Sequence, residues 1–83
     1  MKIKDILIED KIKEKLLWKH NIKTSDIREV LFNNSYILKV SKNRYMAIGH
    51  NHKFVTIIFE LMNNLAFIVT SYPSSDAQRK LYK

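Results

Sequence analysis

Residues 44–72 read R-Y-M-A-I-G-H-N-H-K-F-V-T-I-I-F-E-L-M-N-N-L-A-F-I-V-T-S-Y, and no other part of the chain limits the fold so strongly. Three runs rich in β-branched and aromatic residues, 45–49, 54–61 and 65–71, are parted only by short polar stretches. Such side chains fit a pleated surface, so the runs are predicted strands. In the middle run Val55, Ile57 and Phe59 fall on one face, and Phe54, Thr56 and Ile58 on the other. Two largely apolar faces suit a central strand covered on both sides, or a wide core with a partly exposed reverse. Asn63-Asn64 suits a tight hairpin, because asparagine tolerates the left-handed backbone of such turns. Gly49-His50-Asn51-His52-Lys53 reads as a looser connection. The expectation is an antiparallel meander.

A chain of 83 residues is one domain, spanning 1–83. At this size only ~60–65% of the unfolded surface is buried, which leaves little room for a deep pocket. The absence of cysteine removes disulfides, thiolate chemistry and cysteine-based zinc sites. No apolar run approaches the ~20 residues of a membrane span, and M-K-I-K-D-I-L-I-E-D lacks the apolar centre of a signal peptide. A soluble, cytoplasmic protein without membrane contact is expected. The net charge of +7 attracts polyanions. Codon bias toward Lys, Ile and Asn accounts for part of the lysine excess, so charge alone leaves both readings open. Against that background Arg28, Arg44 and Arg79 stand out, since a guanidinium grips phosphate or carboxylate with two prongs.

In chain order, residues 3–8 are either a short strand or an irregular lead-in. Ile8, Ile12 and Leu16 then recur every four residues behind acidic Glu9 and Asp10, predicting a helix over 9–19. Lys11, Lys13, Lys15 and Lys19 fall on its other side. Thr24 reads as the cap of a second helix, with Asp26 in its first turn and Ile27, Val30 and Leu31 as its apolar stripe. That helix ends near Phe32, at the turn Asn33-Asn34-Ser35. Residues 36–40 alternate as a strand, and Ser41-Lys42-Asn43 turn it into the meander. Pro73 stops the last strand. Ser75 and Gln78 have the spacing of a capping box, opening a short helix with Ala77 and Leu81 on one face. The predicted architecture is α+β: two N-terminal helices, an antiparallel sheet of about four strands, and a C-terminal helix.

Certain residues in this order resemble a known family. Trp18-Lys19-His20-Asn21-Ile22 followed by Asp26-Ile27-Arg28-Glu29-Val30-Leu31-Phe32 is similar to the opening of the BrnT-type ribonuclease toxins, "K-H-G-(V/I) … E-V-F". Arg44-Tyr45-Met46-Ala47-Ile48-Gly49 resembles their "R-x-x-A-I-G" strand. Thr70-Ser71-Tyr72-Pro73, with Arg79-Lys80-Leu81-Tyr82 behind it, resembles their closing strand and final "R-(R/K)-L-Y" helix. The resemblance implies a RelE-like, BrnT-like fold and a type II toxin–antitoxin endoribonuclease that cleaves mRNA without metal or cofactor and inhibits translation. It implies a small DNA-binding antitoxin as partner, with operator DNA bound only through that complex. Two positions depart from the pattern: Asn21 stands where the family has glycine, and Tyr72 where it often has arginine.

Metal-free RNA cleavage needs the ribose 2′-hydroxyl deprotonated, charge on phosphorus stabilised and the leaving oxygen protonated. Arg44 is a candidate phosphate clamp, or an ordinary cross-strand partner of Glu60. His20 is a candidate for proton transfer, since imidazole ordinarily titrates near ~6.5, or a cap at a helix end. Tyr72 is a donor to phosphate or a stacking ring, or packs beside Pro73. Lys19, Lys42, Lys53 and Arg79 are candidate RNA phosphate contacts. His50 and His52 form an H-x-H pair in an expected turn without cysteine or carboxylate nearby, so chance explains it better than a metal site. Phe54, Phe59 and Phe67 read as core. The leading function is a translation-inhibiting endoribonuclease toxin. The alternatives are a non-catalytic RNA- or partner-binding module on the same scaffold, and a structural protein whose charge reflects codon bias.

Overall fold

Asn63 and Asn64 both take left-handed φ angles, 53° and 65°, and form the predicted tight turn between two long strands, β4 (Lys53–Met62) and β5 (Leu65–Pro73). The computed structural model describes residues 2–33 and 35–82. Its other elements are β1 (Asp5–Leu7), α1 (Asp10–His20), α2 (Thr24–Phe32), β2 (Ser35–Lys39), β3 (Arg44–Asn51) and α3 (Asp76–Tyr82). They form one sheet in the order β1-β5-β4-β3-β2. The meander β2 to β5 is antiparallel throughout, and β1 pairs in parallel with the far edge of β5. The predicted α+β plan therefore holds, with a fifth strand. Residues 5–7 are a strand because Ile6 sinks into the core opposite Ala66, and Lys4 N–H donates to the Asn64 carbonyl at 2.6 Å. The expected turn at Asn33-Asn34-Ser35 falls outside the described residues at Asn34.

β4 is the middle strand, as its two apolar faces predict. Val55, Ile57 and Phe59 are fully buried and join Ala47, Ala66 and Ile68 on one face of the sheet. Leu16 of α1 and Ile27, Val30 and Leu31 of α2 close over them, so the predicted helix stripes and the strand face form one core. Phe59 stacks on Tyr45 of β3 with ring centroids 5.7 Å apart. A bulge after Ile58 leaves Val69 of β5 without an opposite residue, since Ile58 faces Thr70 and Phe59 faces Ile68. On the reverse face α3 covers only one end, over Thr56. Phe54 and Phe67 lie on this reverse face and do not enter the core, which corrects the reading of all three phenylalanines as core.

Three local expectations change. The first residue of α2 is Thr24 and its cap is Lys23, whose backbone N–H is held by the Asp26 carboxylate at 2.8 Å. On α3, Ala77 and Leu81 face solvent, while Gln78 and Tyr82 turn toward the sheet. The connection expected over residues 49–53 is tighter, because β3 continues past Gly49 through Asn51: Asn51 pairs with Lys53, leaving His52 (φ 69°) as the single turn residue. Glycine is needed at 49 because α2 crosses close above it. A Cβ there would lie 2.6 Å from Cγ1 of Val30, a buried β-branched side chain with one favoured helical rotamer. Gly49→Ala should therefore destabilise by about 1–3 kcal/mol through overpacking, read as a lower urea midpoint. Restoring the parent midpoint in the double variant with Val30→Ala would identify the clash as the cause.

Candidate RNA-facing site

The candidate residues cluster unevenly around the end of the sheet where β3 turns into β4. On the helix side of this turn, α1 ends at Asn21, which takes the left-handed conformation (φ 53°, ψ 39°) and donates its N–H to the Leu16 and Leu17 carbonyls. After glycine, asparagine is the residue that adopts this conformation most readily, so the substitution of Asn21 for the family's glycine keeps the geometry. The freed carbonyls at the negative end of α1 receive Lys53, whose Nζ lies 2.9 Å from the Asn21 oxygen and 3.4 Å from that of His20. Asn51 Nδ2 reaches the Asp26 carboxylate at 3.4 Å. The turn is thus pinned to the α1–α2 junction by both residues that flank it.

On the opposite side α3 is set by the predicted capping box. Gln78 N–H donates to Ser75 Oγ at 3.2 Å, and Ser75 N–H donates to Gln78 Oε1 at 3.0 Å. The same Oε1 accepts from the Thr56 hydroxyl at 3.0 Å, while Nε2 points at Tyr72 Oη, 3.1 Å away, and at Met46 Sδ. Tyr72 is therefore tied into the α3 seam. One residue on, Arg79 lies over the Phe54 ring, its guanidinium carbon 4.9 Å from the centroid. His50 meets the same ring at 4.7 Å and Tyr82 at 5.5 Å. His50, His52, Lys53, Phe54, Ser74 and Arg79 line an open cleft of about 370 Å³ between the β3–β4 turn and α3. Asp76 stands 3.8 Å from Arg79, but both are largely exposed, so the pair leaves the guanidinium in reach of solvent.

The sequence candidates fall in three places. His20 and Lys53 meet on the helix side of the turn, with Lys19 exposed beside them on α1. Tyr72 and Arg79 meet on the α3 side of the same sheet end. Arg44 begins β3, seven residues from Asn51, or about 23 Å along an extended strand. There it forms an ion pair with Glu60, its register partner, at 2.8 Å, and exposed Lys42 lies in the adjoining bend. Arg44 and His20, both candidates for the same chemistry, do not lie together. The length of β3 separates them, and the cross-strand pairing weighed for Arg44 is the one the sheet register makes. His50, His52 and Phe54, by contrast, are brought together with Arg79. Their shared face follows from the pairing of His50 with Phe54 across a one-residue turn, once β3 is carried past Gly49 to Asn51. No group of three or more metal-ligating side chains occurs among the described residues. No helix among them is long and apolar enough to cross a membrane.

No protein-family model matches the sequence, and no curated protein matches it. The fold does have a counterpart among solved structures. The 1.1 Å crystal structure of the Brucella abortus ribonuclease toxin BrnT matches with a TM-score of 0.71, covering 87% of this chain and 97% of that chain at 17% sequence identity. The chain has the BrnT-type fold.

Proposed function

We propose that this protein is an endoribonuclease toxin that cleaves mRNA without metal and is neutralised by a small DNA-binding antitoxin. The observation that carries the reading is the fold match to a ribonuclease toxin, over 87% of this chain and 97% of that one. The +7 charge supports it, because a small body carrying that field concentrates RNA at its surface. RNA binding is assigned to the sheet end where Tyr72 and Arg79 meet on the α3 side, with Lys53, His20 and Lys19 bordering it from the helix side. Arg44 is offset by Glu60 and contributes little net charge to a bound phosphate. A non-catalytic RNA-binding module on the same fold is the second reading, favoured by the absence of an arginine at Tyr72.

Induced expression in bacteria separates the two. The toxin reading expects growth arrest with loss of full-length mRNA, and rescue by coexpression of the neighbouring reading frame. Purified protein should cleave RNA equally well in EDTA. Its affinity for single-stranded RNA should fall with salt at a log–log slope of roughly −0.7 per phosphate contacted. Undiminished growth and intact mRNA at full expression of folded protein would favour the binding module.

A further inference from the structure

We propose that His50 and His52 are the proton-transfer pair of this chain's RNA-cleaving site, and that Arg79 holds the scissile phosphate between them in the cleft under α3; this rests on the ribonuclease reading above. The H-x-H pair is poorly placed for a metal, since no carboxylate completes a ligand set among the described residues. It is well placed for acid–base chemistry. His50 is on the α3 face of β3 and rests against Phe54, while His52 projects from the turn itself, and both line the cleft that Arg79 and Lys53 also border. Phe54 ties the arrangement together, because its ring contacts both the His50 imidazole, at 4.7 Å between centroids, and the Arg79 guanidinium, at 4.9 Å. The volume, about 370 Å³, is within the ~300–1,000 Å³ range of small-ligand sites and is open to a chain passing through. The charged side chains that line the cleft beside the pair are Arg79 of α3 and Lys53 of β4. Both are cations, and Asp76, 3.8 Å from Arg79, is exposed, so the setting favours an anion.

The chemistry closes without a co-reactant. One imidazole, neutral, takes the proton of the ribose 2′-hydroxyl as that oxygen bonds to phosphorus. The phosphorus–5′-oxygen bond breaks, and the other imidazole, charged, gives its proton to the leaving oxygen. The products are a 2′,3′-cyclic phosphate and a free 5′-hydroxyl, and the net change in the protein is one proton moved between histidines. Arg79 supplies fixed positive charge to the equatorial oxygens as they gain charge. Lys53 is held by two main-chain carbonyls and acts as a near charge, not a direct ligand.

Single-turnover cleavage of an oligoribonucleotide and histidine ring NMR signals, titrated with its non-cleavable 2′-O-methyl analogue, test this together. His50→Ala and His52→Ala should each slow cleavage ~10²–10⁴-fold and remove one limb of the pH–rate profile, while binding the analogue within a few-fold of the parent. Arg79→Gln should slow cleavage ~10²–10³-fold, with Arg79→Lys recovering part. The analogue should shift the His50 and His52 signals far more than that of His20, which only borders the site. Folded His50→Ala and His52→Ala proteins that cleave like the parent overturn the assignment while the ribonuclease reading stands, as does an analogue that shifts only His20. A parent with no cleavage overturns both.

Discussion

Phe59→Ala should cost about 3–5 kcal/mol, the lost transfer of a buried ring plus the cavity it leaves. For a chain of this size the whole stability is of the order of 4–12 kcal/mol, so the variant should be largely unfolded at 37 °C or close to it. The reason is position. Phe59 is fully buried in the central strand, with Tyr45 stacked on it from β3 and Ile68 opposite it in β5. Helices α1 and α2 roof the same cluster through Leu16, Ile27 and Val30, and no neighbour is free to collapse into the gap without dragging one of these elements. At ~4–8 °C per kcal/mol for a domain this small, the melting temperature should fall by at least ~12 °C. Phe54→Ala and Phe67→Ala remove rings of the same size from the half-exposed reverse face and should cost less than half as much. Urea and thermal unfolding followed by circular dichroism would rank the three, and equal losses would contradict the placement of the core on one face only.

That ranking also shows where the sequence stops being legible. The alternation of Val55, Ile57 and Phe59 against Phe54, Thr56 and Ile58 defines two faces from local chemistry alone. Which face becomes the main core depends on where α1 and α2 land, and that is decided by residues up to half the chain away. Turn chemistry was readable wherever it is local. Asn63-Asn64 bends because asparagine accepts positive φ, and Ser75 with Gln78 caps α3 because their side chains reach each other's backbone. Gly49 misleads for the opposite reason: its lack of a side chain answers to Val30 of α2, a tertiary neighbour. The run 45–49 stops two residues short of the observed end of β3 at Asn51, so His50 reads as a turn residue although it lies in the strand. β1 was ambiguous because three residues carry no periodicity and their partner lies at 65–67. On α3 the apolar positions Ala77 and Leu81 suggest the inner face, yet the surface beneath Gln78 presents the Thr56 and Tyr72 hydroxyls, which a glutamine serves better.

Gln78 should therefore be the side chain on which the seating of α3 depends, and Gln78→Leu should cost about 2–4 kcal/mol despite leaving no cavity. Its amide is fully used, accepting from Ser75 N–H and the Thr56 hydroxyl and donating toward Tyr72 and Met46. Thr56 is fully buried and bonded to Ser74 as well, so the hydroxyls run in series from Ser74 through Thr56 to the amide. A leucine of similar shape breaks that series, and each interior polar group left unmatched costs about 1–3 kcal/mol. Gln78→Glu separates the hydrogen bonds from the packing. Protonated, the new carboxyl accepts at one oxygen and donates from the other, as the amide does. Ionised, it only accepts, and it sets a negative charge against the Met46 sulfur in a partly buried seam. The folded state would then hold the proton more tightly than the unfolded chain, where a glutamate titrates near ~4.3, so stability should fall as pH rises through and above that value. Urea midpoints of this variant should approach the parent's at pH 4 and drop well below them at pH 7. Arg79 follows Gln78 directly in the chain and is seated over Phe54 by the same helix, so the affinity of the cleft for a 2′-O-methyl oligoribonucleotide should weaken over the same pH range. A variant whose deficit is the same at both pH values would show that helix packing, and not the amide's hydrogen bonds, holds α3 in place.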